Sequence, residues 1–283
     1  MIEYRGVRYE KAEFDRQFNP RLLATDPDNI QPRRAKLSED VRARRSHILG
    51  VPYGERPRET IDIFPAERPG APVVVYFHGG YWRTGSAREN NFIAEPFAAA
   101  GGCVLLVNYD LCPTVSIGHI VAQARRAITW AHEHAEEYGG DGRRLHLLGH
   151  SAGAHLIAMA LADDDEVPLD AIAGATLVSG IYDLDAVRRA AVNGEIQLSK
   201  DDVALHGPLF HAPHAAVPMI IAVGLSESDE WIRQSRLYET VAKDAGCPID
   251  RIDLPGADHY APLFDLLEPS NALRRAIIAC LGR

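Results

Sequence analysis

The 283-residue chain has little cysteine, and what it has follows no pattern. Cys103, Cys112, Cys247 and Cys280 are scattered, with no Cys-x-x-Cys spacing. That excludes a disulfide framework read from spacing and fits a reducing cytoplasm. Cys103 and Cys280 lie in apolar runs, where a thiol serves as a small core residue. No apolar run approaches the ~20 residues of a membrane span. Basic residues are in deficit, 30 Lys and Arg against 39 Asp and Glu, for a net charge of −9. That argues against nucleic acid or an anionic membrane as the main partner. The first residues, MIEYRGVRYEKAEFDRQF, are charged throughout and do not read as a secretory signal. Neither His-Glu-x-x-His nor any clustered ligand set occurs, so no metal and no other cofactor is expected. Repeats and low-complexity tracts are absent too.

What is present is a hydrophobic fraction of 46%, enough for a sizeable core. Residues 1–57 are polar, Arg-rich and punctuated by proline, yet they carry Tyr4, Tyr9, Phe14, Phe18, Leu22 and Leu23. A disordered tail would lack those aromatics, so the segment is expected to dock as part of a cap. From residue 58 the rhythm becomes strand, helix, strand. ETIDIFP alternates; PVVVYFH, CVLLVNY, RLHLL, AIAGATLVS and PMIIAVG are apolar runs of the kind buried on both faces. Helical stretches follow, among them 117–138, AGAHLIAMALA and WIRQSRLYETVAKDAG. The expected architecture is one α/β domain over residues 58–283, with a mostly parallel, doubly covered sheet.

In such sheets ligands bind at the carboxyl ends of the strands. Four strand ends carry chemistry-bearing residues. After RLHLL comes Gly149-His150-Ser151-Ala152-Gly153, a Gly-x-Ser-x-Gly between strand and helix. This is the pattern of a nucleophile elbow, in which small flanking residues permit a turn that lifts the serine hydroxyl above the sheet. The following N–H, that of Ala152, sits at a helix N-terminus, where the dipole favours an anion. After PVVVYF comes His78-Gly79-Gly80-Tyr81-Trp82. Its Gly80 and Tyr81 N–H groups are assigned to an oxyanion hole, with Gly79 giving the close turn at the substrate. His259 follows the last strand and is the candidate base. The acid is expected between nucleophile and base, in the loop after PMIIAVG, where Glu227 is ranked ahead of its rival Asp229. Asp183 lies one strand too early, and Asp258 adjoins the base and reads as a turn residue. His150 and His155 read as packed histidines; His132 and His134, at i and i+2, face apart.

With these residues in hand, the sequence resembles an α/β-hydrolase, and within that fold the arylformamidase (kynurenine formamidase) group, related to hormone-sensitive-lipase-type esterases. HGGYW, GHSAGAHL, SGIYDL at 179–184, VGLSESDEWIRQS at 223–235 and the N-terminal EFDRQFNPR carry the resemblance. It departs at Glu227, where many relatives use Asp. The resemblance implies a serine hydrolase that cleaves a small acyl group, such as formyl, from an aryl amide through an acyl-enzyme. Ser151, Glu227 and His259 would form the triad, and Tyr81, Trp82 and Tyr182 an aromatic wall for the leaving ring, the alternative for these three being core packing. The alternative enzyme is a carboxylesterase for small esters with the same triad. A non-catalytic binding protein on this fold would have lost one of these residues. The partner expected is a small aryl amide or ester, with no nucleic acid and no membrane; a homodimer is admitted and not specified.

Overall fold

The computed structural model describes residues 1–162, 167–214 and 217–282. Among them, ten strands form two sheets. β1 (Ile2–Tyr4) and β2 (Val7–Tyr9) make a hairpin. Its two turn residues, Arg5 and Gly6, both have positive φ (47° and 78°), the twist a two-residue hairpin needs. The large sheet holds β3 (Ile48–Pro52), β4 (Thr60–Phe64), β5 (Ala71–Phe77), β6 (Cys103–Val107), β7 (Gly140–His150), β8 (Ile172–Val178), β9 (Met219–Gly224) and β10 (Ile249–Leu254). Their order across the sheet is β10-β9-β8-β7-β5-β6-β4-β3. The six strands from β10 to β6 pair in parallel; β4 and β3 add on antiparallel at one edge.

Strand alternation divides one apolar run between two cores. In β5, Val73, Val75 and Phe77 join the core on one face, and Val74 and Tyr76 the core on the other. β6 divides likewise, Cys103, Leu105 and Val107 against Val104 and Leu106. Burial on both faces is why these runs read as continuous rather than alternating. The helices Ile117–His134, Ala152–Ala160 and Asp229–Asp244 cover the first face; Ala94–Ala99 and Ala272–Leu281 contribute to the second.

The N-terminal segment is docked. Tyr4, Phe14 and Phe18 are buried and form a small core with Ala186 and Ala190. Tyr4 and Phe14 meet edge to face at 5.5 Å. The boundary expected near residue 57 moves, because β3 pairs with β4 and belongs to the large sheet. Gly50, Pro52 and a register shift between Ile48 and Val51 blunt this edge strand and hid it in the sequence. No helix among the described residues is long and apolar enough to cross a membrane.

Candidate active site

Ser151 stands at the end of β7, with φ 56° and ψ −117°, a conformation costing a non-glycine residue about 1–3 kcal/mol. The surroundings hold it there. The Ser151 N–H donates to the Val178 carbonyl at 2.9 Å. A Cβ on Gly149 would stand 2.6 Å from the Gly153 backbone, and one on Gly153 would stand 2.0 Å from the Phe77 carbonyl oxygen. The elbow can therefore carry no side chain at either glycine. The helix Ala152–Ala160 begins immediately after, its N-terminus at the serine.

The 78–82 loop packs against this turn. A Cβ on Gly79 would reach 3.1 Å from the Ser151 Cβ and 2.9 Å from His150 Nδ1. Gly80 has φ 124°, and Tyr81 and Trp82 follow at 53° and 55°. Three successive positive φ values turn the backbone sharply, and the Gly80 carbonyl accepts from the Arg83 and Thr84 N–H groups, each at 3.1 Å. Among the described residues, the N–H groups of Gly80, Tyr81 and Ala152 donate to no protein atom. Gly80 and Tyr81 share a cavity with Ser151, and Ala152 opens the helix that follows it.

His259 Nδ1 lies 2.6 Å from Glu227 Oε2, both side chains being almost wholly buried. A carboxylate there fixes Nδ1 as the donor and leaves Nε2 to take a proton. Glu227 is itself held. Its Oε1 accepts from the Ser179 hydroxyl at 2.5 Å and from the Gly224 N–H at 2.9 Å. Trp231 meets the His259 ring edge to face at 4.5 Å and donates its Nε1–H to the Ser179 carbonyl at 2.8 Å. His150 supports the base from the other side: its ring lies 4.6 Å from that of His259, and its Nε2–H donates to the His259 carbonyl at 2.7 Å. Burial, and next the neighbouring His259 charge, push the His150 pKa well down and keep it neutral.

Ser151, His259, Gly80 and Tyr81 line one cavity of about 480 Å³. Asp229, the rival acid, is exposed and opens the following helix, so it does not reach the base. Asp258 accepts from the backbone N–H groups of Thr25, Tyr260 and Ala261 at 2.7–3.0 Å, shaping the loop that presents His259.

Of the expected aromatic wall, Tyr81 lines the cavity, and Trp82 and Tyr182 do not. Trp82 is fully buried in the core beneath the loop, its ring 4.7 Å from that of His155. Tyr182 is fully buried and stacks on Tyr238 at 4.4 Å. Gly79 faces the elbow. None of the three lines the cavity. Trp82 packs on His155 and away from the cavity, which sequence adjacency to the loop cannot reveal. The aromatic side chains that do line the cavity are Phe18, Tyr81 and Tyr260. Ser179 was also missed; its one signal in the sequence is a hydroxyl directly after a strand.

The N-terminal segment touches each of these loops. Tyr81 Oη donates to the Phe18 carbonyl at 2.6 Å, and Ser228 Oγ to the Gln17 carbonyl at 2.6 Å. The Thr25 N–H meets Asp258, and the Tyr4 hydroxyl meets Asp183 at 2.5 Å. Asp15, Phe18, Arg21 and Arg34 complete the cavity wall.

A family model described as an alpha/beta hydrolase fold matches residues 74–262. The kynurenine formamidase of Danio rerio is 30% identical over 298 residues, covering 100% of both chains. An esterase of Mycobacterium tuberculosis is 26% identical over 252 residues, 78% of this chain and 61% of that one. Among solved structures, a protein of Silicibacter sp. TM1040 superposes with a TM-score of 0.84 at 25% identity, covering 96% of this chain and 99% of that one. The chain is a hydrolase of the α/β-hydrolase-fold family and belongs to the branch that holds the kynurenine formamidases.

Proposed function

We propose that this enzyme hydrolyses N-formyl arylamines, or aryl amides of similarly small acyl groups, through an acyl-enzyme on Ser151. The observation that carries the reading is the Glu227–His259 pair, 2.6 Å apart, opening on the same cavity as a serine in a strained elbow. The Ser151 oxygen attacks the carbonyl carbon while His259 Nε2 takes its proton. Glu227 stabilises the imidazolium that results. The negative charge on the carbonyl oxygen meets the free N–H groups of Gly80, Tyr81 and Ala152. As the C–N bond breaks, His259 gives its proton to the leaving amine. Water, deprotonated by the same histidine, then releases the acid and returns the proton to Ser151. A formyl group brings only a hydrogen on its carbonyl carbon and needs no acyl pocket. The cavity is then left to the leaving ring, beside Phe18, Tyr81 and Tyr260. The N-terminal residues act as a cap that keeps water from this ring, and the buried free thiols of Cys103, Cys112 and Cys247 suit a reducing cytoplasm.

The test is kcat/KM for a formyl arylamine against the matched acetamide and a short aryl ester. The formamide should exceed the acetamide by two orders of magnitude or more. Turnover of esters with none of formamides would instead support a carboxylesterase, the reading that the similarity to the mycobacterial esterase favours.

A further inference from the structure

The last turn of a helix leaves its carbonyls without partners inside the helix. At that end of the helix Lys11–Gln17, two consecutive carbonyls are taken by side chains from two different loops of the active site. The Gln17 carbonyl accepts from Ser228 Oγ and the Phe18 carbonyl from Tyr81 Oη, each at 2.6 Å. Gln17, Phe18, Tyr81 and Ser228 are all buried, so water does not compete for these bonds. The Gln17 side chain adds a third contact: its Oε1 accepts from the Glu230 N–H at 3.3 Å, while its Nε2 donates to Glu13 at 2.8 Å. Both donors stand beside catalytic groups. Tyr81 supplies an N–H assigned to the oxyanion, and Ser228 directly follows Glu227. Ser228 also opens the helix Asp229–Asp244, its Oγ accepting from the Trp231 N–H at 3.2 Å. Trp231 in turn packs on His259 and binds the Ser179 carbonyl, and the Ser179 hydroxyl holds Glu227. The sheet itself does not join these loops. The oxyanion loop follows β5 and the acid loop β9, with β7 and β8 between them. Three strand spacings amount to about 14 Å.

We infer that the helix end at Gln17–Phe18 is a clasp for catalysis, and that the Tyr81 and Ser228 hydroxyls are its two positioning groups, fixing the oxyanion loop and the acid loop relative to each other. The oxyanion forms against one loop while the other stabilises the imidazolium, so the chemical step needs both in place at once. This rests on the serine mechanism proposed above; whether the substrate is an amide or an ester does not enter. The N-terminal segment then has two separable functions. Its wall at Phe18 acts on substrate binding, and its two carbonyls act on the chemical step.

The experiment measures kcat and KM for a formyl arylamine and an aryl acetate, per active site titrated with an aryl phosphonate. The variants are Tyr81→Phe, Ser228→Ala, Ser228→Thr and the double variant Tyr81→Phe/Ser228→Ala. Each removal of a hydroxyl should lower kcat about tenfold to hundredfold, the cost of a displacement of about 1 Å. The factor should be the same for every substrate that turns over, with KM within about twofold of wild type. A tie cut at either end no longer ties, so the double variant should lose little more than the more damaged single variant. Ser228→Thr keeps the donor and the helix cap and should keep kcat near wild type. The downfield proton resonance of the His259 Nδ1–H should shift or broaden in Ser228→Ala and stay in place in Ser228→Thr. Wild-type kcat in either single variant, or a double variant whose loss is the product of the two, overturns the clasp. So does a Ser228→Ala that lowers only the thermal midpoint and leaves the resonance unmoved, which would make Ser228 a helix cap and nothing more. If Tyr81→Phe does not fold, Ser228→Ala against Ser228→Thr decides. Retained activity in Ser151→Ala would refute the serine reading; an inert Ser151→Ala beside clasp variants at wild-type kcat refutes the clasp alone.

Discussion

Among single residues, three side chains do distinct work. Ser151→Ala should abolish turnover, a loss on the order of 10⁶ in kcat, with the thermal midpoint kept; a mutant with a tenth of wild-type activity would remove the serine from the mechanism. Glu227→Gln replaces an acceptor of the His259 Nδ1–H by a group that can present a donor. It should cost about 10³ to 10⁴ in kcat. Asp229→Asn, at an exposed position, should stay within about twofold of wild type by the same steady-state assay. The reverse ranking would move the acid by two residues. Ser179 acts through Glu227. Ser179→Ala leaves a buried carboxylate oxygen with one donor fewer, and guanidinium unfolding should show a loss of about 1–3 kcal/mol. An unchanged midpoint would mean that water replaces the hydroxyl.

At the scale of elements, the N-terminal segment is the part that differs most from a bare sheet with loops. Three of its hydrogen bonds reach the loops that carry Tyr81, Glu227 and His259. Deleting residues 1–20 removes Phe18 from the cavity wall and two of those three bonds. KM for aryl formamides should then rise more than KM for small acetate esters. Equal losses for both would indicate destabilisation in place of a cap. The sheet and its helices were legible because β5, β6 and β9 are apolar on both faces and the helices between them are strongly periodic. The elbow was legible because sterics force its glycines. The helix Ile30–Arg44 was not, because the face it buries carries Arg34 and Ser38 and shows no apolar period. That same polar stripe is what brings a charge to the cavity. The burial of Trp82 against His155 and the Ser179 support of Glu227 depend on contacts between residues far apart in sequence, 48 residues in the second case, which spacing does not encode.

At the scale of the whole molecule, buried histidines tie stability to pH. Burial holds His78 and His155 at about 3 and His146 at about 4, and also lowers His150. The unfolded chain takes up these protons near pH 6.5, whereas the folded chain does not until far lower pH, so stability is full above about 6.5 and is lost as pH falls below it. Each such histidine removes about 1.4 kcal/mol per pH unit crossed, an upper bound for groups that relax on protonation. Guanidinium midpoints should be level from pH 8 to 7 and fall steadily from pH 6 to 5; a level midpoint down to pH 5 would contradict this. The central claim, however, is covalent chemistry at one serine served by one histidine. It is tested most directly by reacting the protein with an aryl phosphonate, which stops at the acyl-enzyme analogue, and mapping the adduct by peptide mass spectrometry. The account predicts one adduct per chain, on Ser151, with labelling slowed at least a thousandfold in His259→Ala. Complete inactivation with the adduct on another residue, or labelling of Ser151 at the same rate without His259, would contradict it.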